Sequence, residues 1–244
     1  MLIYKIIFFV TAVSQIISIF FSSFSGGSNF NELLITPAGY TFAIWGAITV
    51  FSSIYALLHL FGTRTFSRPV YLWLSSVYVC FTLWLMAAER EILLVTVLIF
   101  LFMYFALLKA FPRLLEQGFA NIQEKLFLQG GVGMYLGWSS VAVLANIGVY
   151  AFSFGIQSSS QLGIYLQMLL VLLAALSAGY ALYQTKRNAV VFATHWWAFV
   201  GILVGLFSRE QTELLIAWTL VCVVGLNVFY FKKRLRFIKK LTIE

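Results

Sequence analysis

Charged residues are scarce in this sequence. They make up 10% of its 244 residues, while hydrophobic residues make up 62%. Soluble domains usually carry about 25% charged residues, so the composition excludes a soluble protein and predicts that nearly all of the chain lies in a lipid bilayer. The apolar segments leave no room between them for a soluble unit of even ~50 residues. We therefore expect one membrane-embedded domain over residues 1–244.

Acidic and basic side chains are missing from the middle of every long apolar segment. Ion-coupled transporters and proton pumps usually place a charged residue there, because it carries the coupled charge. The absence of these side chains also leaves no pair of acidic and basic groups for general acid–base catalysis. We therefore expect no catalytic residues and no enzyme. An enzyme that acts on a lipid or isoprenoid through few polar groups is the alternative. Cys80 and Cys222 lie within apolar runs, which is typical of small core residues rather than of a disulfide or a metal site.

Eight apolar segments are long enough to cross a bilayer, for which a helix needs about 20 residues. Their hydrophobic residues run continuously instead of alternating, which favours helices over strands. We therefore predict an all-α polytopic membrane bundle of about eight transmembrane helices. The first segment has no small-residue cleavage site, so we expect a retained helix rather than a signal peptide. The predicted spans are residues 6–24, 40–61, 70–88, 92–111, 130–152, 162–183, 189–207 and 214–231.

The 16 basic residues predict the orientation of the bundle. With both termini in the cytoplasm, all of them except Arg90 and Arg209 lie on the inner side, which is a strong positive-inside bias. The formal net charge of +8 therefore indicates topology and contact with anionic lipid, not nucleic-acid binding. We expect the basic cytoplasmic tail, residues 232–244, to lie on the anionic inner leaflet.

The stretch TPAGYTFAIWGAI opens the second span. Thr36 is a good N-cap, and Pro37 suits the first helical position, where its missing N–H costs nothing. Gly39 and Gly46 then recur at helical spacing, and small residues let a neighbouring helix approach closely. These positions predict that Trp45 lies inside the bundle rather than in an interfacial belt.

The fifth span, GGVGMYLGWSSVAVLANIG, has two contrasting faces. Tyr135, Trp138 and Asn146 fall within one arc at 100° per residue. Gly133 and Gly137 lie on the opposite side with GxxxG spacing. We expect one face to contact another helix and the other to present aromatic and amide groups, which would make this helix central. The GxxxG spacing is compatible with either a monomer core or a homodimer seam.

The seventh span repeats the pattern, with Trp197, Gly201 and Gly205 on one face beside Thr194 and His195. Simple helix packing explains each stripe alone, but three such stripes together favour an internal cavity. A cavity with aromatic walls and few amide or hydroxyl groups suits a flat or amphiphilic ligand. The candidate ligand-binding residues are Phe42, Trp45, Tyr135, Trp138, Asn146, His195 and Trp197.

The sequence has two histidines, His59 and His195, and both fall in the predicted inner half of the bilayer. A two-histidine haem site is therefore one hypothesis. Hydrogen bonding between helices is the interpretation that we favour. No metal site is predicted, and a tetrapyrrole is the one candidate cofactor.

Three segments resemble the larger tryptophan-rich sensory proteins, bacterial membrane proteins of the TspO/MBR (translocator protein) superfamily. They are TPAGYTFAIWGAI, YLGWSSVAVLAN and VVFATHWWAFVGI, and the likeness extends over about residues 33–205. The resemblance implies an all-helical bundle with an aromatic cavity. In the five-helix translocator proteins that cavity accepts porphyrins, sterols or synthetic aromatic ligands. It also implies a multi-pass protein of a bacterial plasma (inner) membrane.

Three functions are compatible with these observations. The leading hypothesis is a membrane protein that binds a hydrophobic or aromatic small molecule, tetrapyrrole-, sterol- or isoprenoid-like, for sensing or shuttling. The alternatives are a facilitative small-molecule transporter and a non-catalytic subunit of a membrane complex. Only the transporter requires flux across a vesicle membrane, and only the subunit requires a stable protein partner.

Overall fold

The computed structural model of the protein describes residues 1–21, 33–210 and 212–241, with residues 233–241 described by their backbone alone. All regular secondary structure in these residues is helical. Eight helical segments in the described ranges are long and apolar enough to cross a membrane, so the predicted all-α polytopic bundle is confirmed. The helices are α1 (Leu2–Phe20), α2 (Ile44–Phe61), α3 (Arg68–Glu89), α4 (Leu93–Gln117), α5 (Gly130–Phe152), α6 (Gln161–Gln184), α7 (Ala189–Phe207) and α8 (Glu213–Leu241). A 3₁₀ turn (Gly39–Ala43) leads into α2, and a π-helical turn (Glu124–Gln129) leads into α5.

Helix α5 is the centre of the bundle, as its two contrasting faces predict. In the most apolar 18-residue stretch of its span, 72% of the residues are buried, against 22–56% in the same stretch of the other spans. It packs against α2, α4, α6 and α7. A Cβ atom added at Gly137 would lie 2.7 Å from the Cβ of Thr194 on α7. The GxxxG face of α5 therefore forms a close seam within the chain.

Contacts between the helix ends bring together the cations that were predicted to face the cytoplasm. The Lys5 ammonium donates to the carbonyl of Gly62, which joins the start of α1 to the end of α2. Arg64 forms an ion pair with Glu124, which joins the α2–α3 connection to the start of the α5 span. We call this end of the bundle the inner end. The opposite, outer end contains Arg209, which follows α7.

A chain of buried polar side chains stabilises the inner end. The hydroxyl of Tyr55 donates to Glu124 at 3.5 Å and lies 3.2 Å from Nδ1 of His59. The other ring nitrogen of His59, Nε2, lies 2.7 Å from the hydroxyl of Tyr71. The ring of Phe66 stacks on the imidazole, with centroids 4.4 Å apart. Buried polar groups are stable only when they are paired, and here each one has a partner.

Three details of the sequence prediction are wrong or lie outside the described residues. Helix α1 begins at Leu2 rather than at residue 6, because the lysine in its first turn is paired with a backbone carbonyl and does not have to stay outside the bundle. Thr36 is not an N-cap, since the helical structure that follows it begins only at Gly39. The expectation that the tail rests on the inner leaflet concerns side chains outside the described residues.

The predicted helix contact at the two glycines of the second span is also wrong. Cβ atoms added at Gly39 and Gly46 would meet nothing within 4 Å, and both glycines are exposed. The expectation for Trp45 holds nevertheless, since it is 2% exposed. A local pattern of small residues identifies a face of the helix, but it does not show whether a neighbour covers that face.

Candidate ligand-binding cavity

Aromatic rings from four helices meet in the outer half of the bundle. Trp45 from α2 lies at centroid distances of 5.6 Å from Trp84 on α3 and 6.2 Å from Trp138 on α5. Phe100 on α4 contacts Trp84 edge to face at 5.0 Å, and Phe42, before α2, contacts Trp138 at 5.7 Å. Edge-to-face and tilted pairs are the favoured aromatic arrangements and add to the burial energy of the rings. The rings therefore form a rigid aromatic wall.

This wall borders a cavity that is almost entirely apolar. The cavity has a volume of about 50 Å³. Its floor and sides come from α2 to α7, and its outer end is lined by the non-helical segment 33–38 that precedes the 3₁₀ turn. The lining residues are Leu33, Ile35, Thr36, Pro37, Phe42, Trp45, Trp84, Phe100, Trp138, Val141, Ala142, Leu144, Ala145, Asn146, Leu170, Val171, Ala174 and Ile202.

The amide of Asn146 is held in one orientation at the cavity wall. Its Oδ1 accepts a hydrogen bond from Nε1 of Trp84 at 3.1 Å. Its Nδ2 donates to the carbonyl of Ala142, one helical turn earlier, at 2.9 Å. The two bonds distinguish the oxygen from the nitrogen of the amide. Asn146 therefore joins α5 to α3 and contributes a fixed dipole to the cavity.

The indole N–H of Trp138 differs from that of Trp84. Trp138 is 2% exposed, and its Nε1 has no hydrogen-bond acceptor among the residues that the structure describes. Indole nitrogen is a donor only, and buried donors are nearly always paired. Trp138 is therefore a cavity-lining residue whose buried N–H lacks a partner in the part of the chain that the structure describes.

The cavity brings together four of the seven predicted ligand-binding residues: Phe42, Trp45, Trp138 and Asn146. Tyr135 lies behind this layer, with its ring 5.6 Å from Trp45 and its hydroxyl donating to Gln15 at 3.1 Å. Trp197 lies outside the cavity lining, because its ring is 40% exposed on the bundle surface and its Nε1 donates to the carbonyl of Thr41. The ligand-binding role of all seven stays a prediction.

His195 lies in the seam between α5 and α7. Its Nε2 is 2.8 Å from the hydroxyl of Ser140, and that hydroxyl also lies 2.8 Å from the carbonyl of Gly137. Because the serine has one proton and the carbonyl can only accept, Nε2 of His195 is the donor to Ser140. The histidine thus links two helices and is not part of the cavity lining.

The histidines do not fit a two-histidine haem site. Both ring nitrogens of His59 are engaged by tyrosine hydroxyls, and Nε2 of His195 is engaged by Ser140. Nδ1 of His195 is buried and has no partner among the described residues. Neither histidine lines the aromatic cavity. Hydrogen bonding between and within helices accounts for their positions, and no step through an iron-bound tetrapyrrole follows from these residues.

The sequence prediction missed the contribution of α6 to the cavity. Leu170, Val171 and Ala174 line it, and Gln167 on the same face is fully buried. Their spacing of i, i+3, i+4 and i+7 is the pattern of one helix face, and it could have identified them. No spacing pattern of this kind identifies Trp84 and Phe100, and only the fold brings them to the cavity.

Arg209 lies at the outer end of the cavity, on the connection between α7 and α8. Its Nη1 donates to the carbonyls of Leu34 at 2.8 Å and Thr36 at 2.9 Å. Partial burial lowers the pKa of its guanidinium below the usual value, yet an arginine stays charged at neutral pH. The cation therefore binds the backbone of the segment that lines the outer end of the cavity.

Comparison with known proteins agrees with the resemblance seen in the sequence. No curated protein and no solved structure matches the chain. Residues 1–231 match the family described as TSPO-like protein, which is nearly the whole length and includes all eight helices up to the basic tail. The resemblance to the TspO/MBR superfamily is confirmed, and the chain belongs to the TSPO-like protein family.

Proposed function

We propose that the protein binds a small, uncharged and largely apolar molecule with one hydrogen-bond acceptor in the aromatic cavity, for sensing or shuttling. The observation that carries the proposal is the indole N–H of Trp138, a residue that lines the cavity, because this N–H has no acceptor among the described residues. A buried donor without an acceptor costs about 1–3 kcal/mol. A ligand with a carbonyl or ether oxygen would recover that free energy on binding, whereas a pure hydrocarbon would not.

The remaining lining residues support the same ligand class. None of them is a charged or titratable side chain, so a charged ligand would lose its hydration without gaining a counter-ion. The aromatic rings offer apolar contact to a flat molecule. The one amide, that of Asn146, is already engaged at both ends. We therefore propose binding without catalysis at this site.

The size of the cavity restricts the ligand further. About 50 Å³ is far below the ~300–1,000 Å³ of pockets for drug-sized ligands. A cavity of about 150 Å³ holds one benzene ring, so even a one-ring ligand requires a small outward movement of the wall. A tetrapyrrole-, sterol- or isoprenoid-like ligand would bind only after part of the wall has moved.

A cavity-filling substitution tests the proposal. Acetophenone, a one-ring ketone, is equilibrated with the protein in nanodiscs, and protein-free nanodiscs give the blank for partitioning into lipid. Ala174→Phe places a ring in the cavity and should abolish saturable binding. Leu173→Phe is the matched control, because Leu173, the residue before Ala174 on α6, is 40% exposed and its variant should bind as the wild type does. Equal binding by both variants would contradict the site.

We also infer that the inner end faces the cytoplasm of a bacterial plasma membrane, with both termini inside. The support is the count of basic residues: of 16, only Arg90 and Arg209 lie at the outer end. Fusion of a fluorescent protein to the C-terminus should give a fluorescent product, and fusion of a periplasmic phosphatase should give an inactive one. The reverse result would invert the orientation.

A further inference from the structure

The connection between α6 and α7 is a tight turn that places two adjacent cations at the inner end of the bundle. Lys186 and Arg187 have φ angles of 53° and 60°, in the left-handed region that residues with a side chain rarely adopt. The amide of Arg187 donates to the carbonyl of Leu182 at 2.7 Å and closes the turn. Oδ1 of Asn188 then caps the first amides of α7. The backbone of Arg187 is therefore fixed, and its side chain leaves the turn in a defined direction.

The guanidinium of Arg187 lies against α8. Its central carbon is 4.8 Å from the centroid of the Phe229 ring, so this face of the guanidinium is covered by a cation–π contact. Phe229 lies three positions before Lys232, where the membrane span of α8 ends. The guanidinium is therefore at the depth where the apolar span gives way to the lipid headgroups.

The charge of Arg187 has no counter-ion in the part of the chain that the structure describes. Its Nε and Nη1 are buried and lack an acceptor there. The one ion pair among the described residues joins Arg64 to Glu124, and the sequence has no acidic residue between Glu213 and Glu244. Removing a charge from water without a partner is costly. The guanidinium therefore calls for an anion from outside these residues.

The surroundings restrict the chemistry of that anion. Arg187 is partly exposed, so an anion can approach the free edge of its guanidinium from the membrane boundary. Phosphate oxygens match the fixed N–H groups of an arginine. Lys186 and Lys232 are exposed at the same end of the bundle, and their charges disfavour a headgroup that carries its own cation. Basic sites between transmembrane helices on the inner side are typical binding sites for anionic phospholipids.

We propose that Arg187, with Lys186 and the ring of Phe229, binds the phosphate of an anionic phospholipid between the α6–α7 turn and α8. The acyl chains of this lipid lie along the exposed apolar face of α8, which includes Val224 and Val228. The site is at the opposite end of the bundle from the aromatic cavity, so it goes beyond the proposed function and does not depend on it. A bound lipid neutralises the guanidinium and connects the turn to α8.

Competition between two lipids tests the site. The purified protein in detergent receives equal amounts of phosphatidylglycerol and phosphatidylcholine with the same acyl chains, and bound lipid is counted by native mass spectrometry. The wild type should bind more phosphatidylglycerol. Arg187→Asn should bind it about tenfold more weakly, as expected for the loss of a hydrogen bond to a charged group. Asparagine is common at positive φ, so this variant keeps the turn. Arg187→Lys, which keeps the charge without the planar fork, should give an intermediate affinity.

A matched control separates the site from the total charge of the inner end. Arg113 is exposed on α4 and donates to the carbonyl of Lys109 in its own helix. Arg113→Gln removes one positive charge, as Arg187→Asn does, and should bind phosphatidylglycerol as the wild type does. Phe229→Leu keeps an apolar side chain and removes the ring, so it should weaken binding about two- to fivefold. All four variants should unfold as the wild type does in lipid-free micelles, so weaker binding would reflect the site and not the fold.

Three results would overturn the site. They are equal binding of the two lipids by the wild type, unchanged phosphatidylglycerol binding in Arg187→Asn, and an equal loss in Arg113→Gln. Glycerol 3-phosphate has a phosphate but no acyl chain, and at the concentration of the lipid it should displace none. Displacement by it would overturn the assignment to a lipid in favour of a soluble phosphate ester. None of these outcomes depends on acetophenone, so they are distinct from the loss of binding that would defeat the proposed function.

Discussion

The seam between α5 and α7 allows a quantitative prediction for Gly137→Ala. Alanine favours a helix over glycine by about 1 kcal/mol. The new Cβ, however, would lie 2.7 Å from the Cβ of Thr194 and 3.0 Å from the carbonyl oxygen of Val191. Neither atom can rotate away, so the cost lies at the upper end of the 1–3 kcal/mol of overpacking, at about 3 kcal/mol. We expect a net loss of about 2 kcal/mol in the free energy of unfolding.

Gly179→Ala is the matched control for this variant. A Cβ atom at Gly179 would meet nothing within 4 Å, so only the helix propensity changes and the protein should gain up to about 1 kcal/mol. The assay is reversible unfolding of the purified protein in mixed micelles with increasing dodecyl sulfate. Equal stability of the two variants would refute the close seam. A changed oligomeric state in Gly137→Ala alone would show that the GxxxG face packs between copies of the chain.

Two further predictions concern the polar contacts at the two ends of the bundle. Glu124→Ala leaves Arg64 without its carboxylate and should cost about 3 kcal/mol, the lower end for a broken buried pair because Arg64 keeps some access to solvent. The same unfolding assay checks this, and no loss of stability would show that the pair is not formed. Trp84→Phe removes the donor to Oδ1 of Asn146 and should cost about 1 kcal/mol, whereas Trp73→Phe, a half-buried tryptophan on the same helix, should cost less. Equal effects would mean that the bond to Asn146 contributes nothing.

The helices and the centre of the cavity could be predicted because their signals are local. Runs of apolar residues determine where the chain can cross a bilayer. The two faces of α5 follow from a period of 3.6 residues, which placed Trp138 and Asn146 on one side and Gly137 on the other. The family resemblance pointed to the same aromatic residues. In each case, residues close in the sequence carry the information.

The structure of the segment 33–38 could not be predicted, because it depends on distant residues. Thr36 and Pro37 have the local signature of a helix start, yet the carbonyl of Thr36 is bound by Arg209, 173 positions away. Gln167 binds Leu34 from 133 positions away. Such partners override capping preferences, which are worth only about 1 kcal/mol. Trp197 lies outside the cavity lining for a related reason: its face is glycine-rich, but the segment before α2, rather than the cavity, lies against that face.

The acceptor preference of the cavity tests the central claim most directly. Acetophenone and ethylbenzene share one skeleton and differ in the carbonyl, and their binding to the protein in nanodiscs is compared after subtraction of a lipid blank. The wild type should prefer acetophenone by about tenfold, because its oxygen satisfies the N–H of Trp138. Trp138→Phe should lose the preference, because phenylalanine has no N–H donor. The same preference in both proteins, or none in the wild type, would contradict the account.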